Sequence, residues 1–239
     1  MPDFAPELCH EPLLDAAPRR LAFRPGVDFA AWRAELDATL RRLVGWMPEP
    51  VPAHLRLEYE LDHGDYRERR FVFTSEAHCD VPCHLLTPKV KGPFPVVITL
   101  QGHSPGMHIS LGRPQCPGDA ESIAGGRDFA VQAVREGFAA LAIEQRCLGE
   151  REDRRDPSRR EINNRCHHAT LTALLLGRTM IGERVWDISR AIDALAAFPE
   201  LDLARIAVMG NSGGGTATFY ATCLEPRIAV SMPSPAVGR

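Results

Sequence analysis

Residues 207–217 read AVMGNSGGGTA, in which Gly210-Asn211-Ser212-Gly213-Gly214 matches G-x-S-x-G. The bare pattern is common by chance, and its surroundings give it meaning. An apolar run, RIAVMG (205–210), precedes it and a helix-forming stretch, 213–224, follows. A tight strand-to-helix turn would lift Ser212 above the carboxyl edge of a sheet, and small neighbours let the backbone pass through strained dihedrals. The helix N-terminus beneath would offer N–H groups and the positive end of a dipole to a developing oxyanion. This is the chemistry of a serine nucleophile. The rival reading is a glycine-rich helix start whose serine only caps it. The second half of an oxyanion hole is expected after an earlier buried strand, and LQGHSPG (100–106) follows one. The backbone N–H groups of His103 and Gly213 are therefore the expected oxyanion pair, while the His103 ring is read as a loop side chain.

A serine nucleophile needs a base, and the base an orienting carboxylate. In hydrolases built on this turn the chain order is Ser, then acid, then His. Here 27 residues follow Ser212, with Glu225 among them and no histidine; all nine His precede the turn. Three readings are open: a chain cut short, a second chain that completes the site, or an upstream base from His103, His167 or His168.

The elements that must hold these groups can be read from periodicity. PVVITLQ (95–101) is a continuous β-branched run of the kind buried on both faces of a parallel sheet. FAALAIE (138–144), RIAVMG (205–210) and RIAVSM (227–232) are further strands, and 127–136 and 213–224 are helices. A helical region running to about Phe198 is expected to be interrupted near Gly177 and Gly182, with Val185, Ile188, Ile192 and Leu195 as its apolar stripe. Strand–helix–strand alternation of this length implies a parallel sheet with right-handed crossovers. Upstream, LRLEYEL (55–61) and RRFVFT (69–74) form a hairpin around DHGD. VPCHLLTP (81–88) is a third strand, expected at the periphery because Pro82 cannot donate to a ladder. Residues 1–27 read as an irregular arm. Asp28 to Val44 reads as an amphipathic helix with Phe29, Trp32, Leu36, Leu40 and Leu43 on one stripe, Asp28 as its cap and Gly45 as its end. Pro48, Pro50 and Pro52 mark a linker. The expected division is an arm over 1–54 and an α/β domain over 55–239.

Composition excludes several function classes. A formal net charge of −3 gives no general drive toward nucleic acid or an anionic membrane. No stretch of about 18 apolar residues is present, so no segment is expected to span a bilayer. The N-terminus has no basic start followed by an apolar run, so a cytoplasmic protein without a signal peptide is expected. Seven Cys are then read as reduced thiols, and the odd number argues against a complete disulfide framework. His78-Cys79-Asp80-Val81-Pro82-Cys83-His84 looks like a metal cluster, but on a strand Cys79 and Cys83 lie roughly 13 Å apart. Cys166-His167-His168 has adjacent side chains that diverge. No metal is therefore expected, and Gly213-Gly214-Gly215 lacks the G-K-[ST] of a phosphate loop, so no nucleotide either. EQRCLGEREDRRDPSRRE (144–161) admits two readings, a solvated loop of surface ion pairs or a cap loop over the site.

Four segments, GDYRERRFVF with DVPCHLLTP, VVITLQGHSPG, AIEQRCLGERE and RIAVMGNSGGGTATFYATCLEPRIAVSMPS, together resemble α/β-hydrolases of the dienelactone hydrolase and acetylxylan esterase type, from about Tyr59 to Ser234. The resemblance implies a mostly parallel sheet flanked by helices. It also implies hydrolysis of carboxylic esters, acetylated carbohydrates among them, through an acyl-enzyme on Ser212 without a cofactor. Such hydrolases continue through further strands that carry the acid and the His. The resemblance thus implies a truncated chain whose last strand, RIAVSM, is an apolar edge open to self-association. The alternatives are a catalytically incomplete, hydrolase-like binding module and a peptidase of the same fold.

Overall fold

The computed structural model describes residues 5–45, 47–103, 105–152 and 166–234. The chain falls into two units, residues 1–40 and 41–239. In the first, a helix α1 (Glu7–Ala16) forms where an irregular arm was expected. None of its residues is buried and Pro12 lies inside it, so no apolar stripe marks it in the sequence. Helix α2 (Phe29–Val44) matches the expected span. Asp28 Oδ1 accepts from the N–H groups of Ala30 and Ala31 at 2.9 and 3.2 Å, which satisfies two of the donors that every helix start leaves over. Trp32 donates from Nε1 to the Leu21 carbonyl at 3.0 Å and stacks edge-on against Phe23. Phe29 and Leu43, at opposite ends of the predicted stripe, stay exposed.

The larger unit is a seven-stranded sheet in the order β1-β2-β3-β5-β4-β6-β7. Strands β1 (Arg56–Asp62), β2 (Tyr66–Glu76) and β3 (Cys79–Pro88) are an antiparallel meander, and β3 joins β5 (Ala139–Ile143) antiparallel. From there the sheet is parallel through β4 (Phe94–Leu100), β6 (Leu201–Asn211) and β7 (Ile228–Ser234). The expectation for β3 is corrected: it is an interior strand. The Pro82 carbonyl accepts from Glu144 N–H just past the end of β5, so the missing N–H of Pro82 faces the margin of the β5 ladder, whose pairing covers Cys83 to Leu86.

The crossover from β4 to β5 runs one way along the sheet, and those from β5 to β6 and from β6 to β7 run the other. With right-handed crossovers, α4 (Phe129–Arg135) falls on one face and α6 (Met180–Leu195) and α7 (Gly213–Leu224) on the other. Tyr66, Leu86, Ala140 and Ala142 of the sheet pack with Met107, Leu111, Ala130, Val131 and Val134 under α4. Val185, Ile188, Ile192 and Leu195 of α6 are all buried, as their spacing predicts. Two short helices, α3 (Asp119–Ser122) and α5 (His167–Leu175), complete the set. The expected break at Gly177 is present, with φ +70°, but Gly182 lies inside α6 rather than ending a helix. A Cβ at Gly182 would meet the Val44 carbonyl and the Met47 methyl, so this glycine serves close approach, not termination. Thr179 caps α6, accepting from Gly182 N–H at 3.0 Å and donating to the Val44 carbonyl at 2.6 Å. The strand order reverses at β4, so the loops after β4 and β6 flank a crevice at the carboxyl edge of the parallel half. Among the described residues β7 is the outer strand, with Val230 and Met232 exposed. No helix among them is long and apolar enough to cross a membrane.

Candidate functional site

Ser212 stands between β6 and α7 at φ +53°, ψ −119°, a conformation that a non-glycine residue holds only when its surroundings over-determine it. Those surroundings are visible. Ser212 N–H donates to the Ser234 carbonyl at 2.7 Å, which ties the turn to the end of β7. A Cβ at Gly102 would lie 2.9 Å from Ser212 Cβ and 2.9 Å from the Asn211 carbonyl oxygen, so the loop after β4 presses on the turn from the other side. A Cβ at Gly215 would fall 2.8 Å from the Ser234 carbonyl oxygen. The Ser212 side chain itself is exposed.

Of His103 and Gly213, whose backbone N–H groups are the expected oxyanion pair, it is the His103 ring that lies against the Gly213 backbone. A Cβ on Gly213 would be 2.9 Å from Cε1 and Nδ1 of the His103 ring. Gly213 is the first residue of α7, where helical N–H groups have no partner within the helix. The ring of His103 also has a partner that sequence reasoning missed: its Nε2 is 3.5 Å from Cys166 Sγ. Cys166 in turn receives Arg184 Nη2 at 3.1 Å, and the same guanidinium donates to the Arg146 carbonyl at 2.9 Å. Arg184 Nη1 would be 3.6 Å from a Gly213 Cβ, so a buried cation sits beside the first turn of α7. Cys166, His167 and His168 do diverge as adjacent residues, yet Cys166 reaches a histidine more than sixty positions upstream. His167 and His168 are the first two residues of α5.

The loop after β4 is fixed by the residues that follow β5. Gln145 Nε2 donates to the Gln101 carbonyl, and Gln101 Nε2 donates to Ser110 Oγ at 2.6 Å and to the Arg127 carbonyl at 2.8 Å. Glu144 accepts from Met107 N–H at 3.0 Å. Burial pushes the Glu144 carboxyl up to about 8. The folded protein therefore retains a proton that the unfolded chain releases near its ordinary value, 4.5. Stability then falls as pH rises from about 4.5 to about 8, by on the order of 5 kcal/mol in all. Glu144→Gln, which keeps the shape and the neutral state, is expected to change Tm little at pH 5 and to raise it above the parent at pH 9. Equal Tm differences at both pH values would refute this reading.

The charged segment 144–161 is corrected in part. Residues 144–152 are not a solvated face, and 153–165 lie outside the described residues. Arg146 grips Asp187 through Nε and Nη2, both at 2.9 Å, and also reaches Glu76 at 2.6 Å and Glu183 at 3.1 Å. Arg151 donates to Asp187 Oδ2 at 2.7 Å and to the Glu144 carbonyl at 3.0 Å. Arg178 completes the group on Glu76 and Glu183. Three arginines and three carboxylates thus balance in a buried centre behind the site. Although burial alone would raise it, the Asp187 carboxyl is held well below the usual carboxylate range by Arg151 and Arg146.

The cysteine- and histidine-rich stretch 78–84 does not converge. Cys83 is buried, Cys79 meets Arg151 Nη2 at 3.1 Å, and His84 belongs to a separate polar group. His84 Nδ1 lies 2.6 Å from Glu68 Oε1 and its Nε2 lies 3.1 Å from Arg70 Nη1. Burial lowers the affinity of His84 for a second proton. A neutral ring that donates from Nδ1 and accepts from Arg70 satisfies both contacts. Arg70 also clasps Glu150 at 2.7 and 2.6 Å. His84, Arg70 and Glu150 line a cavity of about 530 Å³ with Tyr59, Met107, His108 and Arg113. Among the described residues, the one grouping with metal-ligand types close together is His108, Cys116 and Asp119. There Asp119 Oδ2 already accepts from His108 Nε2 at 2.8 Å and from the Gln115 and Cys116 N–H groups at 2.9 and 2.7 Å. That oxygen is thus fully engaged by the loop it organises.

Comparison with solved structures gives the fold its place. A Bacteroides fragilis NCTC 9343 protein, provisionally described as an acetyl xylan esterase, superposes with a TM-score of 0.78 at 18% identity, over 95% of this chain and 59% of its own. The chain has the α/β-hydrolase fold. Two more structures share this hydrolase fold. The acetyl xylan esterase of Paenibacillus sp. R4 gives a TM-score of 0.57 at 21% identity, over 93% of this chain and 63% of its own. A glucuronoyl esterase of Solibacter usitatus gives 0.60 at 17%, over 87% and 60%. The fungal glucuronyl esterase family model matches residues 178–238. YtaP of Bacillus subtilis (strain 168), provisionally named a hydrolase, is 28% identical over 203 residues, 83% of this chain and 62% of its own. The chain thus spans about three fifths of the length of these proteins.

Proposed function

We propose that this protein hydrolyses carboxylic esters, with esterified carbohydrates as the substrate class, and that Ser212 is its nucleophile. The observation that carries the reading is the left-handed backbone of Ser212, φ +53°, at the head of α7 with the β4 loop packed against it. The names of the structural neighbours, two acetyl xylan esterases and a glucuronoyl esterase, support the substrate class. In this reading Ser212 Oγ attacks the ester carbonyl carbon, and the carbonyl oxygen takes up negative charge facing the N–H groups of Gly213 and His103. The C–O bond to the alcohol breaks, the alcohol leaves with a proton, and water releases the acid from the acyl-serine. Arg184, beside Gly213, adds positive charge near that oxygen.

The test is covalent labelling with a fluorophosphonate probe, which reports an activated serine without choosing a substrate. Labelling of the parent that is lost in Ser212→Ala is expected. A folded parent that takes no label would favour the reading as a hydrolase-like binding module.

A further inference from the structure

Two cysteines meet beside the Ser212 turn. Cys147 follows Arg146, is buried, and holds a left-handed backbone at φ +71°. Cys166, just before α5, is half-buried. Arg184 Nη2 donates at 2.9 Å to the carbonyl of Arg146, the residue before Cys147, and so brings Cys147 and the Cys166 sulfur to one guanidinium. Arg184 Nη2 and His103 Nε2 approach the same sulfur at 3.1 and 3.5 Å. One accessible sulfur therefore faces a thiol, a guanidinium and an imidazole, the surroundings that favour a thiolate. Consistent with this, the hydrogen bond from Cys147, and then those from His103 and the charge of Arg184, outweigh burial and bring the Cys166 thiol down to about 4.

We propose that Cys147 and Cys166 are a redox-reactive pair, in which a peroxide oxidises Cys166 and Cys147 then closes a disulfide with it. In the first step the Cys166 thiolate attacks one oxygen of hydrogen peroxide. An S–O bond forms, the O–O bond breaks, and the leaving hydroxide takes a proton to become water. In the second step the Cys147 sulfur attacks the sulfenic sulfur. The S–S bond forms, the S–O bond breaks, and the hydroxyl of the sulfenic acid departs as water with the Cys147 proton. The two thiols supply two electrons, and peroxide accepts them. A dithiol reverses the bond by exchange.

The position of the pair gives the modification its consequence. The His103 ring and the Arg184 guanidinium both flank Gly213 and both contact Cys166. Disulfide formation removes the negative sulfur that these two groups share. Their orientation around Gly213 then loses its common anchor. The inference concerns sulfur chemistry and does not depend on the hydrolase reading.

Peptide mapping tests it on the full chain. The protein is reduced, freed of reductant, treated with equimolar hydrogen peroxide, alkylated and digested without reduction. The expected product links the peptides of Cys147 and Cys166, lighter than the reduced pair by two hydrogens, while exposed Cys9 and Cys116 remain alkylatable. Cys147→Ser is expected to stop at a Cys166 sulfenic acid that dimedone captures. Iodoacetamide at pH 6 should modify Cys166 at least roughly tenfold faster than Cys116. Oxidation of Cys9 or Cys116 ahead of Cys166, or over-oxidation of Cys166 with no link to Cys147, would overturn the proposal. The mapping of the parent chain decides even where the serine variant does not fold.

Discussion

A Gly214→Ala protein is expected to take no fluorophosphonate label and to melt far below the parent. Inside a helix this change ordinarily stabilises, by about 0.5–1 kcal/mol, because glycine loses more backbone freedom on folding. Gly214 lies inside α7 with an ordinary helical backbone, so propensity alone predicts a gain. Packing reverses the sign. A Cβ there would sit 2.7 Å from the Leu100 carbonyl carbon and nearer still to the carbonyl oxygens of Leu100 and Gln101. These are backbone atoms of β4 and its following loop, and Leu100 is registered directly against Gly210 of β6. No rotamer change can relieve the overlap. Either α7 lifts away from the sheet or β4 shifts against β6, and both displace Ser212. Overpacking against side chains costs about 1–3 kcal/mol, and rigid main chain puts this case at or above the upper end. Gly125→Ala is the control, since nothing lies within 4 Å of a Cβ there. A labelled Gly214→Ala protein with a parental Tm would show that the helix does not approach β4 this closely.

Asp187→Ala is expected to cost about 3–5 kcal/mol in chemical denaturation, the penalty for leaving buried charge uncompensated. Asp187 is 2% exposed and holds Arg146 and Arg151 together. Arg146 would retain Glu76 and Glu183, but among the described residues Asp187 is the carboxylate partner of Arg151. Asp187→Asn keeps the volume and one acceptor, and should fall between alanine and the parent. Replacing Asp202, whose ion pair with Arg205 lies at the surface, should leave stability nearly unchanged. A mild effect of Asp187→Ala comparable to that of Asp202→Ala would mean that water reaches the centre.

The parallel strands and α7 were legible because their signals are local. A β-branched apolar run marks β4, shorter apolar runs mark β5 and β6, and the glycines after Ser212 mark the strand-to-helix turn. The turn was readable from its own residues since the strain at Ser212 demands small neighbours, and small neighbours are visible in sequence. What was not legible depends on partners far along the chain. Pro82 suggested an outer strand, because the sequence does not show that its missing donor falls beyond the end of β5. Arg146 and Arg151 looked like surface charge, because their carboxylates come from β2 and α6. Within α6 a signal did exist: Glu183, Arg184, Asp187 and Arg190 recur at helical spacing beside the apolar stripe, which places charged residues on a face that is buried. Cys166 carried no local signal, for its meaning rests on His103 and Cys147.

The pressure of Gly102 on Ser212 joins two segments more than a hundred residues apart in the chain. Between them lie all of β5, α6 and the segment that fills the ionic centre. The turn therefore has no independent existence as a short motif: its high-energy backbone is held only while β4 and β6 are paired. The fraction of molecules with a competent serine is then tied to the opening equilibrium of the parallel sheet itself. Any substitution that loosens that sheet, however distant from Ser212, reduces this fraction by the same factor.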